Sequence, residues 1–564
     1  MPLSGFAGAL VTIDSIPKAK PGDSVVISGT SEHKEVIVKV IRPNATVLYV
    51  DVLPVSADKK FSTTIKLPSD SPVGAYKVVA GHDVNVATSD LTVEKTTPTD
   101  PPPTGSRPPT GNPPANTGST SNTAPQTTPP VKNDIVVTNN QVTVKLDKSA
   151  QKVTQETVNG VTITKVILDA SILADAFKTL KEQGDKVGDN AAKVVAIEVA
   201  NVEGATKVEI PAETLAKGSK TVPDAMVSVQ TESSSYQLPV RVLDVEALAK
   251  SLGVNPEEVN ISVIMEKLTG APADQVNSAI KSLGASSLSG AVDFNVTAES
   301  KGKSVEVNNF GSTYVERVIV IPGSVNADEA TAVVIDPATG EASFVPAIFR
   351  KTADGKTEVI IKRNGNSVYS VVAAKKTFAD VSNHWARNEI NLLASKLLVK
   401  GHTETSFSPD SSITRAEFAT LLVRALGLTL DKSEGSFTDV RTTDWFAASV
   451  NTAIQAKLVN GFENGTFRPN EKITREQMAA MITRALHAAG KSIKTTGTTD
   501  EILNPYSDQA SISTYAKDSF AQLIDAGIIK GQTSATIAPA ADANRAEAVV
   551  ILKRFLQFVQ FINA

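Results

Sequence analysis

The sequence predicts a multidomain chain with three architectures in series: a β-sandwich at the N-terminus, a strand-rich α+β middle region, and an all-α C-terminal region built from three repeats. Three observations carry this. Residues 1–95 alternate apolar and polar with period two, eleven of the 30 prolines fall between Pro98 and Pro130, and a helix-start tetrapeptide recurs three times after residue 410. The expected boundaries are 1–95, a Pro/Thr-rich linker at 96–132, α+β modules at 133–235 and 236–375, and repeats at 376–435, 436–500 and 501–564.

In the first segment Val36, Val38 and Val40 share one face of a strand, as do Phe61, Thr63, Ile65 and Leu67, and Tyr76 with Val78. Pro21-Gly22-Asp23, Pro43-Asn44 and Ser69-Asp70-Ser71-Pro72 separate the runs as turns. Several short strands at this spacing predict a sandwich. The stretches from Pro21 to Gly29 and from Gly74 to Val78 resemble the immunoglobulin-like modules of bacterial surface proteins. The linker cannot bury enough apolar surface to fold, and its prolines keep it extended as a spacer.

In the middle region Val142, Val144 and Leu146 alternate, as do Val195, Ile197 and Val199. Ile172, Leu173, Ala176 and Leu180 mark a helix that Asp169 or Ser171 can cap, and a second helix is expected over Val245–Leu252. Asn364-Gly365, between two apolar runs, predicts a hairpin.

Chemistry is sparse. The chain has no cysteine, which removes disulfides, thiol catalysis and Cys-ligated metals, and its five histidines are scattered. A net charge of −4 gives no basic field for nucleic acid. No apolar run is long enough to span a membrane, and Met1–Leu10 lacks the charged and apolar regions of a signal peptide. No catalytic residue, metal site or cofactor is expected.

The repeats are the informative part. Thr414-Arg415-Ala416-Glu417, Thr474-Arg475-Glu476-Gln477 and Asn544-Arg545-Ala546-Glu547 each read as a capping box followed by an apolar helical stripe. Arginine at the first helical position is unfavourable beside the positive end of the helix dipole, so helix stability does not select it. Free backbone N–H groups with a guanidinium predict an anion site there. Each copy opens on Phe378-Ala379-Asp380, Phe437-Thr438-Asp439 or Tyr506-Ser507-Asp508, and continues with Trp385, Trp445 or Tyr515. The first helix is expected to stop at Gly401, Gly461 or Gly531, before Phe407-Ser408-Pro409, Phe467-Arg468-Pro469 or Ile537-Ala538-Pro539.

From Phe378 to Ala564 this pattern resembles the S-layer homology family. The resemblance implies a pseudo-threefold bundle and non-covalent attachment to secondary cell-wall polysaccharide carrying pyruvate ketals on an amino sugar. It further implies that Arg415, Arg475 and Arg545 meet the ketal carboxylate and that Trp385 and Trp445 face the sugar. Asp380, Asp439 and Asp508 would orient the arginines or bond hydroxyls, and Gly401 and Gly461 are counted as binding positions with them. The expected protein is a non-enzymatic, extracellular component of the cell wall or S-layer, capable of lateral self-assembly. The rival expectations are an anchored polysaccharide hydrolase, its catalytic part with two close carboxylates lying in 133–375 or missing from this sequence, and an adhesin.

Overall fold

The computed structural model describes residues 11–43, 47–68, 71–82, 85–94, 133–138, 140–158, 161–188, 191–200, 204–336, 339–433 and 435–564. The linker 96–132, the first ten residues and the turn residues Asn44, Ser69 and Asp70 lie outside that set. Two compact units result, Met1–Pro130 and Val131–Ala564.

In the first unit the strands Val11–Ile13, Ser24–Ser31 and Lys60–Lys66 form one sheet, and Val47–Pro54, Glu35–Ile41, Gly74–His82 and Asn85–Val93 form another. Alternate residues point inward, so Ile27, Val36, Val38, Val40, Tyr76 and Val78 close a single core. The buried Tyr76 Oη donates to Pro72 O at 3.0 Å, which satisfies its hydroxyl and fixes the entry to its strand. The expected immunoglobulin-like sandwich is met as far as two antiparallel sheets around one core.

The second unit corrects the expected fold class. Its strands form two large mixed sheets. One runs, in spatial order, Ala347–Lys351, Thr357–Arg363, Val315–Ile321, Ser234–Pro239, Ala225–Gln230, Ala192–Glu198, Gln141–Lys145 and Asp134–Thr138. The other has ten strands, from Gln151–Val158 to Ala342–Val345. A shared apolar core, with Val195, Ile197 and Val227 from the first and Val208, Val263 and Phe294 from the second, holds them together. Both sheets take strands from either side of residue 236, early strands forming one flank of each and later strands the other. The helix Ala170–Val187 is capped by Asp169, which accepts from Ser171 N and Ile172 N, and the helix Val245–Leu252 is capped by Asp244.

Asn364-Gly365 is not a hairpin turn. The strands it joins, Thr357–Arg363 and Ser367–Ala373, belong to different sheets. Arg317 decides this. Its fully buried guanidinium donates to Gly365 O at 2.8 Å and Asn366 Oδ1 at 2.7 Å, between the rings of Tyr236 and Tyr369, and so carries the chain across.

The C-terminal region is not an all-α bundle. Its helices are short, Arg387–Ser395 and Arg415–Ala425 in the first copy, Ala447–Gln455 and Arg475–Ala488 in the second, Lys517–Asp525 and Arg545–Phe558 in the third. Their cap residues are extended, and three β-bridges join them: Thr414 to Lys472, Thr474 to Asp542, and Asn544 to Ser412. The second helix of each copy starts at a bridge, and all six helices share one apolar core. That core also takes Phe344 from the sheets. Further ties are Ala347 N to Phe561 O at 2.9 Å and Tyr314 Oη to Leu426 O at 2.8 Å.

Lys396 sits at this junction, buried, with Nζ donating to Ala327 O at 2.8 Å and Ala330 O at 3.1 Å. Burial pushes its pKa down to about 8, against the opposing pull of Asp328. A lysine whose pKa is lower folded than unfolded destabilises the fold at pH values below the folded pKa, and this cost is relieved as pH rises from about 8 towards about 10.4. Urea unfolding of the wild type against Lys396→Met should therefore show the difference in stability shifting in favour of the wild type over that window. A difference constant with pH would contradict the burial of a charged lysine.

Candidate functional site

The capping boxes form as expected: Thr414 Oγ1 accepts from Glu417 N at 3.2 Å, and Asn544 Oδ1 from Glu547 N at 2.8 Å. The backbone N–H groups before them are not free. Arg415 N donates to Glu471 O, Arg475 N to Ala541 O and Arg545 N to Ser411 O. Ala416, Glu476 and Ala546 donate to Pro469, Pro539 and Pro409. Each helix N-terminus is thus spent on the loop of the next copy, which removes the free N–H groups from the expected anion site and leaves the guanidinium.

The guanidinium is a clamp in the same direction. Arg415 Nε donates to Phe467 O at 3.0 Å, Arg475 Nε to Ile537 O at 2.9 Å and Arg545 Nε to Phe407 O at 3.0 Å. Second donors reach Asn460 O, Lys530 O and Lys400 O. The contacts run from copy one to two, two to three, and three back to one. Arg415 is 6 % exposed and Arg475 4 %. Solvated surface cations they are not.

The aspartates neither cap the first helix nor touch the arginines directly. Asp380 accepts from Phe407 N and Ser408 N, Asp439 from Phe467 N and Arg468 N, and Asp508 from Ile537 N and Ala538 N, at 2.7–3.1 Å. Each pins a loop at a residue with positive φ: Ser408 (58°), Arg468 (58°) or Ala538 (54°). The same loop presents the carbonyl that the arginine holds, so the aspartate orients the arginine through the loop. Burial raises the pKa of Asp380 and Asp508, but the loop amides outweigh it and both end below the ordinary carboxylate value.

Gly401 and Gly461 are not helix caps either. The left-handed residue after the first helix is Leu397, Lys457 or Gly527. Gly401 and Gly461 are needed for closeness: a Cβ on Gly461 would lie 2.1 Å from Phe437 Cε1, and one on Gly401 2.5 Å from Phe378 Cε1. Trp385 and Trp445 are 63 % and 67 % exposed, and Tyr515 is exposed as well. Trp445 lines a groove of about 380 Å³ together with Arg545, Glu417, Phe407 and Lys400. Residues of all three copies therefore meet in one groove.

The three arginines differ in their neighbours. Arg475 pairs with Glu547 at 2.9 Å. Arg545 feels the charge of Glu417. Arg415 has a neutral partner instead, Gln477 Oε1 at 3.2 Å, with the cations Arg468 and Arg484 nearby and Glu471 as the nearest opposing influence. Phe462 lies under both Arg415 and Arg468, at 4.9 and 3.8 Å from its ring centre. Arg424, Arg484 and Arg554, nine residues after the clamps, were not singled out from the sequence although they too recur in every copy. Burial lowers the pKa of each.

Outside the repeats, Asp293 stands directly across from Glu266 on adjacent strands. Burial and then the charges of Glu266 and Glu306 push its pKa up to about 6.

Comparison with known proteins locates the repeats. Residues 377–419, 436–479 and 505–549 match the S-layer homology domain. Amylopullulanase of Thermoanaerobacterium thermosulfurigenes is 26% identical over 344 residues, covering 60% of this chain and 18% of that protein. Exoglucanase XynX of Acetivibrio thermocellus is 34% identical over 188 residues, 33% of this chain and 17% of that protein. A surface layer protein of Brevibacillus choshinensis is 46% identical over 93 residues, 16% and 8% respectively. The chain spans less than a fifth of the length of these relatives. It carries three S-layer homology domains, a module that in general binds cell-wall polysaccharide, and it falls with the extracellular, wall-anchored surface proteins.

If the loop–glycine contact sets the clamp, Gly461→Ala should destabilise the repeats by about 1–3 kcal/mol, the usual cost of overpacking, and Gly465→Ala, which has open space around it but a left-handed backbone (φ 74°), should cost about 1 kcal/mol of backbone strain without releasing the clamp. Thermal melting with hydrogen exchange at Phe467 N would measure both.

Proposed function

We propose that this chain is a non-enzymatic surface protein, held on secondary cell-wall polysaccharide by its three repeats and able to take part in an S-layer. The observation that carries the reading is the set of contacts around Arg415. A buried guanidinium held by carbonyls and an amide, with no carboxylate in contact and two further arginines beside it, retains positive charge for an anionic sugar. A pyruvate ketal on an amino sugar supplies a fixed carboxylate of the right kind. An exposed aromatic, Trp445 in the Arg545 groove, offers a flat face to the sugar, and Tyr515, exposed as well, feels the charge of Arg415. Arg475 is already paired with Glu547 and is assigned a structural role. Lateral self-assembly belongs to the same reading. The chain covers under a fifth of each glycosidase relative, and an anchoring role is in keeping with that share.

The test is retention on purified bacterial cell walls, before and after chemical removal of their polysaccharide. Gln477→Glu places beside Arg415 the carboxylate that Arg475 already has, without removing the clamp. It should weaken retention about tenfold or more, the cost of neutralising one charge-assisted contact, while Arg475→Gln changes it little in any variant that melts normally. Retention that survives Gln477→Glu, or that persists on stripped walls, would sink the proposal.

A further inference from the structure

A cleft of about 1540 Å³ lies between the sheets and the repeats. One wall consists of turns of the sheet region and presents the amides of Asn308, Asn309 and Asn364. The other wall is made by helices of the first two repeats and presents Thr420, Arg424 and Arg484. Lys432 and Lys457, both exposed, stand at its rim. Side-chain amides donate and accept at once, which suits sugar hydroxyls, and guanidinium and ammonium groups suit carboxylate or phosphate. Five lysines and arginines against three carboxylates line the cleft, in a chain whose net charge is −4.

Thr420 is 8 % exposed and its Oγ1 has no hydrogen-bond partner. A buried hydroxyl is normally satisfied, and one facing a cavity is a place where a ligand group or water completes the pairing. Thr420 and Arg424 border both the cleft and the Arg545 groove, so the two adjoin at one helix. The walls are fixed to each other: Arg363 donates through Nε to Gly427 O at 3.1 Å and through its terminal nitrogen to Thr429 Oγ1 at 2.7 Å.

We propose that this cleft binds internal units of the anionic wall polysaccharide whose terminal unit the repeat grooves hold. The inference rests on the anchoring function proposed above and extends it: the sheet region becomes part of the binding surface, and the protein recognises a length of polymer beyond its end. The same chemistry fits carboxylated and phosphorylated sugars, and the cleft is assigned to an acidic polysaccharide of either kind.

The experiment uses the full chain and purified wall polysaccharide, separated into short fragments that hold only the terminal units and long fragments of many units. Calorimetry should show the wild type binding long fragments about tenfold more tightly, the equivalent of a few added surface charge contacts. Lys432→Glu with Lys457→Glu, at exposed positions, should remove that preference and leave the affinity for short fragments unchanged. Equal binding of both lengths by the wild type, or a preference that survives the double substitution, overturns the cleft assignment while leaving the grooves intact. Long fragments bound in a Lys432- and Lys457-dependent way, with short fragments not bound at all, would uphold the cleft and refute the groove reading. No binding at either length refutes both.

Discussion

A buried arginine that reaches from one repeat into the loop of the next organises the C-terminal region. Its Nε and a terminal nitrogen take carbonyls of the neighbouring copy, and its backbone N–H takes the carbonyl four residues beyond the Nε acceptor. Three such clamps close on themselves because the third copy reaches back to the first. The β-bridges, the positive-φ loop residues and the aspartates that pin them all serve this closure. Removing one partner would leave a buried charge or carbonyl unmet, which is costlier than the clamp's net contribution.

Closure and recognition use the same side chain but different parts of it. Nε and one terminal nitrogen are committed to carbonyls, and the remaining donor edge takes whatever the third position of the capping box supplies. Glu547 neutralises Arg475, whereas Gln477 leaves Arg415 charged. One residue in an otherwise repeated motif thus separates a clamp paired with a carboxylate from one paired with a neutral amide. In the Arg545 groove the exposed Trp445 comes from the second copy and Phe407 from the first, so that groove draws on all three repeats.

Much of this was legible in the sequence, and the misreadings have physical causes. The capping boxes, the recurrent arginine and the helices Ala170–Val187 and Val245–Leu252 follow from local patterns that tertiary contacts do not override. The free helix N-termini expected around Arg415 were wrong because the carbonyls that fill them come from another repeat, about 55 residues away in the case of Pro469. Gly401 looked like a helix stop, but the left-handed turn falls at Leu397 and the glycine answers to Phe378 instead. Asn364-Gly365 has the composition of a hairpin, and Arg317, 48 positions earlier, redirects it between sheets. The all-α assignment failed for a similar reason: the helix periodicity is real, but the extended caps pair with each other and the core continues into the sheets.

The most direct measurement is a calorimetric titration of the full chain with an amino sugar bearing a pyruvate ketal, alongside the same sugar without the ketal. If Arg415 holds the carboxylate, the ketal form binds at least about tenfold more tightly, as expected for a charge-assisted hydrogen bond, and Gln477→Glu removes the preference. Equal affinity for the two sugars, or a preference indifferent to Gln477→Glu, would contradict the account.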